Sequence, residues 1–130
     1  MEIHFLSVEI VKAFHEDHIK LYGGLHGIRD TNLLDSALHY PKTTFDQCYL
    51  HSDIYQMAAA YAVGIIKNHP FLDGNKRTGI GAALLFLAYN DVVLNASKEG
   101  LWEITMQIAQ SKISEEEEVA LLFRAHVEFF

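Results

Sequence analysis

The stretch His69-Pro70-Phe71-Leu72-Asp73-Gly74-Asn75-Lys76-Arg77-Thr78-Gly79 packs one histidine, one carboxylate, one amide and two cations into residues 69–77. Gly74 sits in their middle, and a long apolar pattern of helical period follows directly. A helix that begins in such a loop offers unpaired N–H groups and the positive end of its dipole to an anion. A glycine there lets the backbone come close to that anion. His69 is suited to take a proton from a hydroxyl near neutral pH. Asp73 beside a phosphate site would repel its ligand unless Mg²⁺ bridges the two. Lys76 and Arg77 put positive charge into the first turn of a helix, where the dipole disfavours it. An anion between loop and cations would remove that conflict. The spacing is neither that of a Walker A loop nor that of a protein-kinase glycine-rich loop. The residues alone therefore define a phosphate site with a base and a metal-binding carboxylate.

Outward from this stretch the periodicity is helical almost throughout. Ser7 caps a helix to about Tyr22 with Val8, Val11, His15 and Ile19 on one face, ended by Gly23 and Gly24. Asp30 caps a second to about Tyr40, stopped by Pro41. Residues 42–51 form an irregular connector containing Phe45 and Tyr49. Ser52 caps a third helix that ends before Pro70, and Asn75 or Lys76 starts a fourth, apolar on most sides and so central. Val92, Val93 and Leu94 suggest a short extended piece. Ser97 caps a fifth helix, and Ser114 with Glu117 makes a capping box for a sixth. The acidic run at 115–118 is read as its solvated first turn. No repeat, linker or low-complexity tract divides the chain, so residues 1–130 are expected to form one all-α domain of about six helices, with the active-site loop between two central ones.

Composition narrows the function classes. Half of the 130 residues are hydrophobic and 21% are charged, as in globular proteins. A net charge of −7 argues against direct nucleic-acid binding, yet Lys67, Lys76 and Arg77 face only Asp73 locally. Cys48 is the single cysteine, which excludes an intramolecular disulfide and suits a reducing compartment. The N-terminus lacks the features of a signal peptide, and the longest apolar stretch, residues 80–89, is too short to cross a bilayer. The expectation is a cytoplasmic protein with no membrane contact. His15 and His18, three apart, lack an obvious third metal ligand, and Trp102 with the Met and Phe residues is assigned to the core.

At residues 69–77 the sequence resembles the Fic/Doc family, and most closely its Doc (death-on-curing) branch, toxins of toxin–antitoxin modules. The family pattern His-x-Phe-x-Asp/Glu-Gly/Ala-Asn-Gly/Lys-Arg is filled by His69, Phe71, Asp73, Gly74, Asn75, Lys76 and Arg77. The resemblance extends to Tyr22-Gly23-Gly24-Leu25-His26-Gly27-Ile28-Arg29-Asp30 and to Leu34-Asp35-Ser36-Ala37. It implies a compact Fic/Doc bundle that transfers part of a nucleotide to a protein hydroxyl. By position, His69 would be the base and Asp73 would bind Mg²⁺ or orient the acceptor. Gly74, Asn75, Lys76 and Arg77 would grip phosphates, and Lys67, where Doc-like proteins can carry an arginine, would support them.

Members of the family that transfer AMP have Gly in place of Lys76 and a second arginine where this chain has Ile80. Both departures match the Doc branch, which transfers the γ-phosphate of ATP, with a threonine of elongation factor Tu as its target class and translation arrest as the result. The alternatives are an AMP transferase of the same fold and a catalytically inactive antitoxin-binding module. The family's self-inhibiting signature is absent: Ser97-Lys98-Glu99-Gly100 has the wrong spacing, and Val119 follows Glu118. Restraint would then come in trans from a Phd-like antitoxin that folds as a helix into a groove. In the family the connector before the third helix is a flap over the site that pairs with an extended stretch of the target. Lys42, Thr43, Thr44 and Phe45 would be that flap; a plain loop pinned by Phe45 and Tyr49 is the other reading.

Overall fold

The computed structural model describes residues 2–110 and 116–125. Among them are six helices, α1 (Val8–Tyr22), α2 (Thr31–His39), α3 (Ile54–Asn68), α4 (Asn75–Tyr89), α5 (Lys98–Ala109) and α6 (Glu116–Ala125). A 3₁₀ turn (Tyr40–Lys42) and a two-stranded antiparallel ribbon, β1 (Thr44–Phe45) with β2 (Cys48–Tyr49), lie between α2 and α3. The all-α expectation holds. No described helix is long and apolar enough to cross a membrane.

Most starts follow the sequence. The side chains of Ser7, Asp30 and Ser97 accept hydrogen bonds from the N–H groups of Ile10, Leu33 and Gly100, so each satisfies a donor the helix cannot. The third start is shifted: Asp53, not Ser52, caps α3 by accepting from Gln56 N–H at 2.8 Å. A carboxylate suits the positive end of a helix better than a hydroxyl. Pro41 does not terminate the second helical segment outright; it sits inside the 3₁₀ turn, where a proline needs no N–H partner. At 92–94 the extended piece shrinks to a single β-bridge residue, Leu94, and Val92 N–H turns back to Leu87 O. The Ser114 cap lies outside the described residues.

α3 is the hub. Every residue from Met57 to Ile66 is buried, and the helix touches α2, the 3₁₀ turn, α4, α5 and α6. α4, expected to be central, is the second most enclosed: Gly79, Gly81, Ala82, Ala83, Phe86 and Leu87 are buried, whereas Leu84 and Leu85 are only half-buried. Small residues let the helices approach closely. A Cβ on Gly79 would lie 2.7 Å from Ile66 Cγ1, and the Phe14 ring occupies the space that a Cβ on Gly81 would fill. The N-terminal arm is pinned across this pair, with Asn90 exchanging hydrogen bonds with His4 N–H and O at 3.0 Å each. The buried Tyr61 hydroxyl accepts from Leu6 N–H at 3.0 Å, and burial pushes that phenol up to about 12. Arg124 on α6 pairs with Asp53 at 2.7 Å and lies over the Tyr55 ring.

Two core assignments fail. Met57, Phe71, Phe86 and Phe123 are buried, but Trp102 is 54% exposed and Phe45 is 77% exposed. Periodicity identifies a helix's apolar residues without saying which neighbour covers them. Because Ile65 is fully buried in the helix that α2, α4, α5 and α6 pack on, Ile65→Ala should remove about 2–5 kcal/mol of stability. Urea denaturation, with the slope unchanged, measures it.

Candidate active site: the loop between α3 and α4

α3 ends because Pro70 cannot donate to its ladder. His69 closes it in the left-handed region (φ 49°, ψ 55°), its N–H still bonded to Ile65 O. The loop is then sewn to the segment before α2. Ile28 and Phe71 form an antiparallel bridge, Leu72 N–H donates to Gly27 O, and Pro70 O accepts from the N–H groups of Arg29 and Asp30. The glycine-punctuated stretch at 23–30 is therefore the outer wall of the loop.

Asn75 works inward. It is buried, its Oδ1 accepts from Phe71 N–H at 2.9 Å and its Nδ2 donates to Phe71 O at 3.0 Å. Both ends of this amide staple the loop. His15 braces the same loop from α1. It is buried, stacked on Phe71 with ring centres 3.8 Å apart, and its Nε2 lies 2.8 Å from Asp73 O. A carbonyl only accepts, so Nε2 carries the proton. The sequence marked His15 as a face residue of α1 and as half of an incomplete metal pair, not as a brace for this loop. Burial opposes its charge and sets its pKa below the usual 6.5, against the opposing pull of the Asp73 carbonyl. His15 and His18 find no third metal-binding neighbour among the described residues.

Asp73 is exposed, and both its oxygens are engaged. Oδ2 accepts from Leu25 N–H at 3.2 Å and Oδ1 from Gly74 N–H at 2.8 Å. Those two bonds, the Leu25 one foremost and helped by Arg77, hold its carboxyl below the usual carboxylate range. Gly24 (φ +121°) makes the approach possible, since a Cβ there would lie 2.7 Å from Asp73 Oδ2. Gly74 (φ 77°) is the N-cap of α4 and contributes no side chain, so the first N–H groups of that helix remain open to a ligand.

His69 is exposed at one end of the loop, and Lys76 and Arg77 follow in the first turn of α4. Lys76 and Arg77 line a groove of about 920 Å³ between α1, α4 and α5, with Phe14, Tyr22, Ile80 and Trp102 among its walls. The Arg77 guanidinium lies 5.5 Å from the centre of the Tyr22 ring, within cation–π reach. Lys67 is elsewhere. It lines a smaller cleft of about 400 Å³ with His39, Tyr40 and Thr43, on the flank of α3 that faces α2. The structure does not bring it into the groove of Lys76 and Arg77.

The candidate flap is the ribbon. Lys42 ends the 3₁₀ turn, the Thr43 hydroxyl donates to Tyr40 O, and Thr44 and Phe45 form β1. Asp46 and Gln47, both at positive φ (52° and 66°), make the tight turn to β2. Phe45 projects into solvent and pins nothing, whereas Tyr49 packs on Phe5.

A model of the Fic/DOC family matches residues 5–87, which include the loop and the wall it is sewn to. Protein kinase doc of Escherichia phage P1 is 32% identical over 111 residues, 84% of this chain and 85% of that protein. Toxin Doc of Mycolicibacterium smegmatis is 39% identical over 75 residues, 58% of each. The chain belongs to the Fic/Doc family. Within it the similarity is to Doc proteins, and the matched region holds the whole motif, from His69 to Arg77.

His15 makes a stability prediction. Its folded pKa is below 6.5, so between those values the unfolded chain takes a proton that the folded chain refuses. Its contribution is intact above pH 6.5 and is lost as pH falls toward the folded pKa. Thermal melts below pH 6.5 should show a shallower loss for His15→Gln than for wild type.

Proposed function

We propose that this chain is a Doc-like toxin, a protein-modifying enzyme that transfers the γ-phosphate of ATP to a hydroxyl of another protein. The observation that carries this reading is a complete motif with Ile80 one turn beyond Arg77, lining the same groove. An apolar side chain there cannot clamp the phosphates that the second arginine of an AMP-transferring relative would hold. A nucleotide is then free to lie reversed, with its terminal phosphate toward His69. Phosphoryl transfer depends mainly on positioning and charge stabilisation, so one scaffold accommodates either outcome.

The roles follow from the loop. A ring nitrogen of His69 takes the acceptor's hydroxyl proton as that oxygen bonds the γ-phosphorus and ADP departs with the bridging oxygen. Lys76, Arg77 and the first N–H groups of α4, opened by Gly74, offset the charge of the phosphates. Asp73 is an exposed carboxylate held ionised by two N–H groups, a donor that suits Mg²⁺. Mg²⁺ would supply charge neutralisation at the phosphates. Asn75 keeps the loop in shape, and Lys67 serves the acceptor side of the site rather than the nucleotide groove. The exposed ribbon keeps one edge of β1 unpaired by β2, which suits strand addition by an extended segment of the target. Within the Doc branch the acceptor we favour is a threonine of elongation factor Tu, with arrest of translation in the cytoplasm.

The same reading requires an antitoxin in trans, of the Phd type. The groove between α1, α4 and α5, with the exposed Trp102 in its wall, is the place assigned to its helix. Expression of the chain alone should therefore arrest growth, and His69→Ala should abolish the arrest.

The deciding assay incubates the protein with Mg²⁺ and cell extract, using ATP labelled at the γ-phosphate or at the α-phosphate, with His69→Ala as blank. Label passing only from the γ-position to one abundant protein is the expected result. Transfer from the α-position would make the protein an AMP transferase and void the argument from Ile80. No transfer from either would leave a binding module.

A further inference from the structure

Three consecutive carbonyls at the end of α3 are taken by one short segment. Arg29 Nε donates to His69 O at 2.7 Å, and its Nη2 donates to Asn68 O at 2.8 Å. Pro70 O accepts from the backbone N–H groups of Arg29 and Asp30 at 2.7 and 3.0 Å. Asp30 is itself locked as the cap of α2. The carbonyls of Asn68, His69 and Pro70 are thus anchored to the start of another helix.

The residue in the middle of that run has reason to move. His69 has a side chain in the left-handed region, where a Cβ crowds the carbonyl that follows. It also precedes a proline, whose ring pushes the residue before it toward extended backbone. Left alone, the His69–Pro70 step would relax, and the imidazole would swing with it. A planar guanidinium that holds two successive carbonyls opposes the relaxation, because both φ and ψ of His69 lie between the peptides it grips.

We infer that Arg29 is the positioning residue of the His69 base, its forked bonds to Asn68 O and His69 O holding His69 in the left-handed conformation that presents the imidazole at the site. This rests on the reading of His69 as the base. Arg29 touches no reacting atom and acts through the backbone. It is exposed, and the carbonyls it holds can be satisfied by water, so the fold does not need it. Placement of the base does, since small displacements of a reacting group cost large factors in rate.

The test compares Arg29→Ala and Arg29→Lys with wild type in the labelled-ATP assay and, independently of any reaction, by the ¹³Cα and ¹³Cβ NMR shifts of His69. Both variants should melt near wild type. Arg29→Ala should lower kcat by about tenfold or more with KM for ATP little changed. Guanidinium chloride, far below denaturing concentration, should recover part of the loss. A lysine delivers a single compact charge and should rescue poorly. The His69 shifts should leave the left-handed signature in Arg29→Ala. Full activity in Arg29→Ala would overturn the inference, as would a raised KM with kcat intact or unmoved His69 shifts. If wild type transfers no label, the proposed reaction fails, and the shifts alone decide the role of Arg29.

Discussion

Pro70 has no N–H to give, and much of the site depends on that one missing donor. α3 has to stop there, and its last carbonyls must find partners that are not in the helix. They find them in Arg29 and Asp30, at the start of α2. Five residues later the chain must re-enter a helix, and Gly74 makes the turn while leaving the first N–H groups of α4 uncapped by any side chain. The loop between is short, carries the histidine and the carboxylate and leads straight into the two cations of α4, so it has little freedom to arrange them by itself. Its shape is imposed from three sides: the segment at 23–30 outside, Asn75 within, and His15 beneath.

This arrangement is how an acidic chain would hold the anion site proposed for it. Net charge acts over long range and is screened by salt, whereas a helix N-terminus, two adjacent cations and a bridging ion act within one turn. Asp73 would oppose such a site if left to solvent. Two N–H groups hold it ionised and fixed in place, so it is not a loose negative charge. Arg77, resting over Tyr22 at the mouth of the larger groove, links the loop to the surface that an inhibitory helix would occupy. Under the proposed function, chemistry and restraint would meet on that one side chain. The ribbon at Thr44 and Phe45 follows Thr43, which lines the cleft with Lys67, away from the groove of Lys76 and Arg77; under the proposed function, nucleotide and acceptor would approach His69 separately.

What the residues alone disclosed were features whose causes are local. Ser7, Asp30 and Ser97 cap their helices because a side-chain oxygen reaches an N–H three residues on, and no distant contact is needed. The start of α4 and the cationic first turn follow in the same way from Gly74, Lys76 and Arg77. Ser52 was expected to cap α3, but the neighbouring carboxylate of Asp53 takes that place, a shift of one residue that spacing alone does not resolve. The motif pattern identified the family more sharply than helical periodicity could, because a filled spacing of seven chemically distinct positions is specific while an apolar stripe is common.

The sequence by itself determined the helices, their order, and the family motif between two of them, because propensity, capping and motif spacing act within a few residues along the chain. Only the tertiary structure decided which side chains face the site and which hold it. Asn75 turned inward to Phe71, His15 crossed from α1 to the Asp73 carbonyl, Arg29 reached the end of α3, and Trp102 was left in a groove instead of the core. Each of these depends on a partner 4 to 58 positions away or on the absence of one, and no periodicity records which helix will pack against which.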